Sequence, residues 1–322
     1  MIDLAAIEAA RDRIADLAVR TPLVRLEVDA EAEIYLKLET LQPIGSFKIR
    51  GAANAVRAAP ESTRAAGLVT ASAGNMAQGV AYLARELGLP ATIVVPEHAP
   101  QAKLRAVERL GGEVVRVPYD DWWQTIVTGR VEGSDGLFVH PVQDELVMAG
   151  NGTIGLEILE QLPDPDAVVI PFGGGGLAVG IASAVRALRP ATKVFTAEPA
   201  TGAALVAALE AGQPTDVDYR PSFVDGSGSK RVLDAMWAHV SGLVDGAFAV
   251  SIDDAAQAVR LLAERAHVIA EGAGALALAA ALSGRAGTGK IVCIVSGGNI
   301  DFSRLCEILA APDRAASGGG PG

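Results

Sequence analysis

The sequence predicts an α/β fold in which parallel sheets are covered by helices on both faces. Three observations support this prediction. Short runs rich in β-branched residues alternate with longer runs that have helical periodicity. The short runs are apolar throughout instead of alternating, which is typical of parallel strands buried on both sides. A turn of four consecutive glycines also separates one such strand from the helix that follows it.

The strand-like runs fall into two groups along the chain, which predicts two open, twisted sheets covered by helices. The first group has predicted strands at 67–72, 91–96 and 113–118, and the second has them at 167–172, 193–198 and 290–296. Helical spacing is found between these strands at 76–88, 101–112 and 178–190. The tail, 312–322, is rich in Gly and Ala and is expected to be disordered.

The composition excludes several classes of function. With 322 residues, 50% of them hydrophobic and 20% charged, the chain can bury a large core. Its net charge of -11 argues against nucleic-acid and anionic-membrane partners. No apolar run reaches the roughly 18 residues that a membrane span needs. Cys293 and Cys306 fall in a predicted strand and a predicted helix, which favours a reducing, cytoplasmic compartment.

The four-glycine turn, Gly173–Gly176, stands between a predicted strand and a predicted helix. Each glycine costs roughly 0.5–1 kcal/mol relative to alanine, so four together indicate close approach of the backbone to a ligand. Free amides at a helix N-terminus favour a phosphate. Gly173, Gly175 and Ala178 also fit a dinucleotide-binding fingerprint, with Glu198 at the end of the next strand. A nicotinamide enzyme therefore stays open as an alternative.

Two further loops follow predicted strands. The run SAGN at 72–75 leads into a helix that Ser72 could cap, and its amides could form a second anion site, suited to a substrate carboxylate. Ser296 ends a buried strand before Gly-Gly-Asn, where a neutral hydroxyl could face the edge of a ligand. Both runs also consist of ordinary turn residues, so a purely local role is the alternative.

Lys48 stands between Phe47 and Ile49, after a Pro-Ile-Gly-Ser turn and at the start of a predicted helix. By itself it could be a surface lysine whose stem lies on apolar surface. Taken together, an amine, a phosphate cradle, a carboxylate pocket and a neutral hydroxyl suit one cofactor, pyridoxal 5'-phosphate. This cofactor carries a phosphate, forms an imine with lysine and has a ring nitrogen that needs a partner.

Six motifs follow one another in an order specific to one family: GSFKIRGA, SAGNMAQGVA, AGNGTIGLEI, GGGGLAVG, AEP and SGGN. On these motifs the chain resembles the fold-type II, tryptophan-synthase-β-like enzymes that use pyridoxal phosphate, and most closely their threonine/serine dehydratase and serine racemase branch. The resemblance extends over nearly the whole chain. It implies a large cofactor-binding domain (1–47 and 147–311), a small substrate-closing domain (48–146) with the cofactor between the two, and a homodimer.

The resemblance also implies roles for individual residues. Lys48 is similar to the lysine that forms the Schiff base with the cofactor, and Phe47 to a residue that packs near the ring. The phosphate would be held by Gly173, Gly174, Gly175 and Gly176, the ring hydroxyl by Asn75 and the ring nitrogen by Ser296. The loop that receives the substrate carboxylate would comprise Ser72, Ala73, Gly74, Asn75 and Met76. Further matches to family positions are Glu271, Asp225 and Gly226.

The function that the resemblance implies is an ammonia-lyase that removes water from a β-hydroxy amino acid and yields a 2-oxo acid and ammonia. L-threonine or L-serine is the default substrate. Alternatives with the same cofactor are a lyase for 3-hydroxyaspartate or an aryl-serine, and a serine racemase-like enzyme. The alternative from another class is an NAD-dependent dehydrogenase built on the glycine turn. We expect no end-product feedback of the kind that longer relatives with a regulatory domain have.

Three positions depart from the family pattern. Met76 replaces the usual histidine, which either leaves the carboxylate to backbone amides or shifts preference to a less polar side chain. Ala73 stands where racemases have a serine as second acid/base, which argues against racemisation as the main reaction. In EPATGAA, Glu198 is present but Ala204 replaces the second carboxylate. The divalent-metal site is therefore incomplete, and a monovalent cation near Glu198 remains open.

Trp122 and Trp123 occur together in the run YDDWWQT, on a predicted helix of the small domain. We interpret both as packing aromatics and not as site residues. The four histidines of the chain do not have the spacing of metal ligands.

Overall fold

The computed structural model describes residues 1–99, 101–131 and 133–311. The tail 312–322, predicted to be disordered, lies outside these residues. The strands are β1 (Leu23–Leu26), β2 (Glu33–Leu38), β3 (Leu68–Ala71), β4 (Ala91–Pro96), β5 (Glu113–Val117), β6 (Leu137–Phe138), β7 (Ala167–Pro171), β8 (Lys193–Pro199), β9 (Gly246–Val250) and β10 (Lys290–Val295).

The α-helices of the described residues are α1 (Leu4–Ile14), α2 (Lys48–Ala58), α3 (Glu61–Arg64), α4 (Asn75–Leu87), α5 (Gln101–Arg109), α6 (Tyr119–Thr128), α7 (Glu145–Gln161), α8 (Gly176–Leu188), α9 (Ala204–Ala211), α10 (Asp234–Val240), α11 (Ile252–Leu261), α12 (Gly272–Leu282) and α13 (Phe302–Ala310). A short 3-10 turn spans Glu39–Leu41, and a π-helical turn spans Leu262–Ala266. Within the described ranges, no helix combines the length and apolar character that crossing a bilayer requires.

Six strands of the described chain form the larger sheet, in the order β1-β2-β10-β7-β8-β9. β1 runs antiparallel to β2, and the other neighbouring pairs are parallel. The strand order reverses at β7, because the chain continues to β8 on one side while β10 lies on the other. In open α/β sheets, ligands bind at the carboxyl ends of the strands beside such a reversal. A ligand-binding site is therefore expected at the loops after β7 and β10.

Both faces of the larger sheet are buried, which explains why its strands are apolar throughout. Successive side chains of a strand point to opposite faces. In β7, Val168 and Ile170 belong to one hydrophobic core, and Ala167 and Val169 belong to the other. All four residues are at most 1% exposed. This double burial is the feature that the uninterrupted apolar runs predicted.

Four strands within the described ranges form the smaller sheet, in the order β5-β4-β3-β6, and all neighbours are parallel. This sheet shares a third core with helices α2 and α4, to which Ile49, Val80 and Ile93 contribute. Each of these three side chains is fully buried. Because α2 begins at Lys48, the packing of this helix fixes the position of the lysine relative to the sheet.

A buried network of ion pairs anchors the middle of α2. Arg50 Nε donates to Glu39 at 2.8 Å, and Arg50 Nη1 donates to Glu157 at 2.7 Å. On the other side of Glu157, Lys37 Nζ donates to Oε2 at 2.5 Å. Buried charges are tolerated only when each is paired and hydrogen-bonded. The network thus joins β2, the 3-10 turn, α2 and α7 in one register.

The predicted α/β class with two helix-covered sheets is confirmed. β4 has the predicted bounds, and each of the other five predicted strands lies within two residues of an observed one. The antiparallel pair β1–β2 and the strands β6 and β9 were not predicted. The division into domains at 1–47, 48–146 and 147–311 stays a prediction.

Candidate active site

A cavity of about 390 Å³ lies where the loops after β3, β7 and β10 meet. Loops from both sheets therefore contribute to one site. Apart from Ala178 and Glu198, the residues that were proposed from the sequence for a cofactor or substrate line this cavity. They are Phe47, Lys48, Ser72, Ala73, Gly74, Asn75, Met76, Gly173, Gly174, Gly175, Gly176, Asp225, Gly226, Glu271 and Ser296. The structure brings the residues together, while their individual roles stay predictions.

Lys48 is the only lysine among the lining residues of the described chain. Its Nζ donates a hydrogen bond to the carbonyl oxygen of Pro141 at 3.0 Å and lies 5.2 Å from the centre of the Phe47 ring. Burial lowers the pKa of the Lys48 amine to about 8, and the Glu271 carboxylate opposes this shift. A substantial fraction of the amine is therefore neutral near physiological pH, as a nucleophile or a base requires.

The turn before Lys48 is fastened to the loop after β10. Gly45 has a φ of +69°, which a residue with a side chain rarely adopts, and its carbonyl oxygen accepts from Gly298 N at 2.9 Å. The amide of Phe47 donates to the carbonyl oxygen of Ser296 at 3.0 Å. These bonds explain the Pro-Ile-Gly-Ser turn, since it delivers Lys48 to the start of α2 beside Ser296.

The glycine turn connects β7 to α8 and supplies the first residue of that helix. Gly175 is the N-cap, with a φ of +96°. A Cβ atom at Gly174 would lie 2.5 Å from the Val142 side chain, and one at Gly173 would lie 3.1 Å from the carbonyl oxygen of Gly226. Larger residues would therefore fill the space in front of the helix N-terminus. The first backbone amides of a helix have no carbonyl partner within the helix, so they are available to bind an anion.

The loop 72–76 brings a second helix N-terminus to the same cavity. Helix α4 begins at Asn75, and its N-cap is Gly74, which has no side chain to cap it. The expectation that Ser72 caps this helix is wrong, because the Ser72 hydroxyl accepts from Gly74 N at 3.2 Å instead. The first amides of α4 are thus left for a ligand. Met76 lines the cavity but is only 1% exposed, since it also packs in the third core.

A chain of hydrogen bonds crosses the cavity between the two sheets. The side-chain Nδ2 of Asn75 donates to Glu271 Oε1 at 2.8 Å, and Asn299 Nδ2 donates to Asn75 Oδ1 at 2.8 Å. Asn299 also donates to the carbonyl oxygen of Ile44 at 2.9 Å. Asn75 belongs to a helix on the smaller sheet, while Glu271 precedes α12 on the larger one. The contact therefore holds the two walls of the cavity together.

Glu198 lies at the end of β8 and does not line the cavity. Its Oε2 accepts from the backbone amides of Leu205 at 2.9 Å and of Val206 at 3.0 Å, at the start of α9. Burial raises the pKa of this carboxyl to about 7, and the hydrogen bonds from the backbone oppose the shift. Among the described residues, no group of three or more His, Cys, Asp or Glu side chains could hold a metal ion. A monovalent cation near Glu198 stays a prediction.

Several lining residues were missed by the sequence analysis, namely Trp122, Ile126, Pro141, Val142 and Asn299. The interpretation of Trp122 as a packing aromatic was incomplete, because its ring also forms part of the cavity wall. Pro141 and Val142 follow the short strand β6, so their position after a strand was an available signal. No local pattern indicates which face of α6 turns towards the cavity, since this depends on how the helix packs on its sheet.

The sequence profile of one protein family, described as pyridoxal-phosphate dependent enzyme, matches residues 14–297 of the chain. The chain is a pyridoxal-phosphate-dependent enzyme. This membership confirms the cofactor predicted from the sequence. It leaves the alternative of a nicotinamide enzyme without support.

The enzyme is similar to proteins of known activity along most of its length. An L-threonine ammonia-lyase of Thermotoga maritima is 42% identical over 316 residues, or 96% of this chain and 78% of that protein. A catabolic L-threonine dehydratase of Escherichia coli is 38% identical over 313 residues, or 94% and 95% of the two chains. The solved structure of maize serine racemase matches with a TM-score of 0.88 at 34% identity, covering 95% of this chain and 96% of that one.

The residues of the cavity suit pyridoxal phosphate. The cradle at Gly173–Gly176 leaves the N-terminus of α8 open to a phosphate, which the helix dipole favours. The amine of Lys48, with its lowered pKa, suits an imine to the aldehyde. Ser296 is 3% exposed and offers a neutral hydroxyl at the cavity wall. Lys48, the glycine turn and Ser296 would hold the cofactor, with Phe47 and Asn75 beside them.

Proposed function

We propose that this enzyme is an ammonia-lyase that removes water from a β-hydroxy amino acid, with L-threonine the first substrate to test and L-serine the second. The observation that carries the proposal is the position of one amine between two helix N-termini. Lys48 shares its cavity with the first turns of α4 and α8. Two anion sites beside an amine suit a cofactor phosphate at one and an amino-acid carboxylate at the other.

Lys48 is the group that moves the proton. Pyridoxal phosphate supplies the electron sink that allows the α-carbon to release a proton. The amides at 72–76 hold the substrate carboxylate, which turns the α-hydrogen towards Nζ of Lys48. Nζ takes that proton in its neutral form, and the low pKa of about 8 makes this form accessible. Loss of the α-proton and of the β-hydroxyl as water, followed by hydrolysis, yields a 2-oxo acid and ammonia.

Elimination, not racemisation, is the main reaction that we propose. A racemase needs a second proton carrier on the face of the substrate opposite the lysine. Ala73 lines the cavity in the loop where the sequence analysis looked for such a group, and its methyl side chain carries no proton. The curated relatives that are named L-threonine ammonia-lyase and L-threonine dehydratase support the same choice.

The experiment is a substrate panel on the purified, cofactor-loaded enzyme. The enzyme is incubated separately with L-threonine, L-serine, 3-hydroxyaspartate and threo-phenylserine. The 2-oxo acid and the ammonia formed from each are measured, and the two products should appear in equal amounts. We expect the largest kcat/KM for L-threonine. Chiral separation of residual L-serine measures racemisation, which should be slower than elimination. Production of D-serine without pyruvate, or no 2-oxo acid from any of the four compounds, would overturn the proposal.

We further propose that the enzyme works in the cytoplasm as a homodimer. The two cysteines are both free thiols: Cys293 is buried in β10, where burial raises its pKa, and Cys306 is exposed on α13. Free thiols are typical of a reducing compartment. The homodimer is implied by the family resemblance alone, and sedimentation equilibrium of the purified holoenzyme tests it. A mass of one chain at micromolar concentration would contradict it.

A further inference from the structure

Helix α6 presents an apolar face to the cavity. Trp122 and Ile126, which are one turn apart, both line it. Their neighbours in sequence, Trp123 and Val127, do not line it and are 40% and 58% exposed. Side chains at positions i and i+4 lie on one face of a helix. We refer to Trp122 and Ile126 together as the α6 wall.

The α6 wall is a hydrophobic surface and not a hydrogen-bonding one. The indole nitrogen of Trp122 is buried, so it is not exposed in the cavity, and it has no hydrogen-bond partner among the described residues. The Trp122 ring centre lies 5.6 Å from that of Tyr119 and 6.4 Å from that of Trp123.

The wall is tied to the amine through one histidine. Nδ1 of His140 accepts from the amide of Val142 at 3.0 Å, so the ring proton lies on Nε2. Nε2 then donates to the carbonyl oxygen of Ile126 at 3.1 Å. The next residue, Pro141, accepts from Lys48 Nζ at 3.0 Å. These contacts fix the distance between the α6 wall and the reacting amine.

The charges around the cavity do not match an ionic substrate side chain. Asp225 and Glu271 line it with carboxylates, and Lys48 is the one cation among its lining residues in the described chain. Lys48 is already committed to the cofactor. A second carboxylate on the substrate would therefore meet two carboxylates of like charge, and the described lining residues offer it no cation besides Lys48.

We propose that Trp122, supported by Ile126, determines specificity for the substituent on the substrate's β-carbon. Resting on the ammonia-lyase function proposed above, the inference is that the α6 wall favours a methyl group over hydrogen and over a carboxylate. A single methyl in a hydrophobic pocket is typically recognised by about 10–200-fold. The wall thus places L-threonine ahead of L-serine, and both ahead of 3-hydroxyaspartate.

The test is a binding experiment that needs no turnover. L-2-aminobutyrate, L-alanine and L-aspartate lack the β-hydroxyl and cannot lose water, but they differ in the β-substituent. Their Kd values for the holoenzyme are measured from the change in cofactor absorbance. We expect L-2-aminobutyrate to bind at least about tenfold more tightly than L-alanine, and L-aspartate to bind most weakly. Tighter binding of L-aspartate than of L-2-aminobutyrate would overturn the inference.

Variants assign the preference to Trp122. Trp122→Ala is expected to reduce the ratio of the L-alanine Kd to the L-2-aminobutyrate Kd to about twofold or less, because the methyl group loses its contact. Trp122→Phe, which keeps an aromatic face and removes the N–H, should retain most of the ratio. Trp122→Val provides an intermediate if the alanine variant fails to fold. The matched control is Val127→Ala, at a residue of the same helix that is 58% exposed and does not line the cavity, which should leave the ratio unchanged.

The outcomes separate this inference from the proposed function. If the wild-type enzyme makes no 2-oxo acid but Trp122→Ala still abolishes the binding preference, the lyase proposal is wrong and the inference about the α6 wall is supported. If 2-oxo acids form but the binding preference is the same in wild type and in Trp122→Ala, the inference about the α6 wall is wrong. An equal loss of preference in Val127→Ala would also contradict it, since that residue does not line the cavity.

Discussion

Lys37 and Lys48 are two enclosed lysines in one enzyme, and their surroundings differ in kind. Lys37 Nζ donates to Glu157 at 2.5 Å, to the carbonyl oxygen of Thr21 at 2.7 Å and to Gln161 at 2.9 Å. These bonds use all three donors of the ammonium group. Burial lowers the pKa of the Lys37 amine too, and the hydrogen-bonded Glu157 carboxylate opposes this shift, so Lys37 has a structural role in the buried network.

Among the described residues, Lys48 has one hydrogen-bond acceptor, the carbonyl oxygen of Pro141, and no hydrogen bond to a carboxylate. Burial therefore lowers the pKa of its amine to about 8, since the nearby Glu271 carboxylate opposes the shift only in part. The comparison teaches that enclosure alone does not make a lysine reactive. Burial lowers the pKa of both amines, so the difference lies in their partners: Lys37 is held by three acceptors, whereas Lys48 has one and lines the cavity.

The largest expected effect is the loss of reactivity at position 48. Reduction of the holoenzyme with borohydride should attach the pyridoxyl group to Lys48 alone, as read by peptide mass spectrometry. Lys48→Ala should lower kcat/KM by at least about a thousandfold, because both the covalent anchor and the proton carrier are lost. Lys193→Ala, at an exposed lysine paired with Asp245, is the control and should keep full activity. A label on Lys37 would reverse the comparison.

The second prediction tests the buried ion-pair network around Lys37. Glu157→Gln removes the carboxylate shared by Lys37 and Arg50, and uncompensated buried charge should lower the free energy of unfolding by about 3–5 kcal/mol. Urea denaturation measures this value. Glu160→Gln, on the same helix, is the matched control. Its carboxylate pairs with Arg11 and Arg20 at the surface and should matter by less than about 1 kcal/mol. Equal effects of the two changes would contradict the assignment.

The third prediction concerns the free energy of unfolding that the protein loses because Lys48 is buried. In the enzyme without cofactor, folding lowers the pKa of Lys48 from 10.5 to about 8. Burial of the charged amine therefore lowers the free energy of unfolding, and this cost has its full value below pH 8. Lys48→Met should therefore raise the free energy of unfolding at pH 7 by about 2–3 kcal/mol. The gain should shrink as pH rises from 8 to 10.5, because the wild-type amine then becomes neutral in both states. A gain that does not depend on pH would contradict this account.

The smallest expected effect is a shift in the pH profile. The kcat of the wild type should rise with pH and level off above the pKa of the Lys48 amine. Glu271→Gln removes a negative charge that favours the ammonium form, so the midpoint should move to lower pH by up to about one unit. The glutamine side-chain oxygen can still accept from Asn75. A midpoint that stays in place or rises would show that Glu271 acts on something other than the lysine.

Much of the fold could be predicted because its signals are local. The strand β4 and the helix after β3 follow from apolar runs, turn residues and periodicity. The edge strands β1, β6 and β9 were missed for physical reasons, since all three are short and only partly buried. The antiparallel direction of β1 depends on a hairpin with β2 whose partners are set by tertiary packing.

The candidate site could be predicted where a loop follows a strand, and less well elsewhere. Lys48, the glycine turn and Ser296 carry unusual local sequences, and all of them line the cavity. Trp122 was misjudged because a tryptophan on an amphipathic helix looks the same whether it faces a core or a ligand. Ser72 was misjudged as a cap, since the choice of Gly74 depends on backbone angles that the sequence leaves open.

The bond from Phe47 N to the carbonyl oxygen of Ser296 has a consequence for biosynthesis. The ribosome makes the amine at position 48 early, but β10, which lies between β2 and β7, is among the last strands to emerge. A nascent chain can therefore fold its smaller sheet long before it has a complete pocket. The pocket around this lysine is therefore complete only after the chain has been made as far as Ser296.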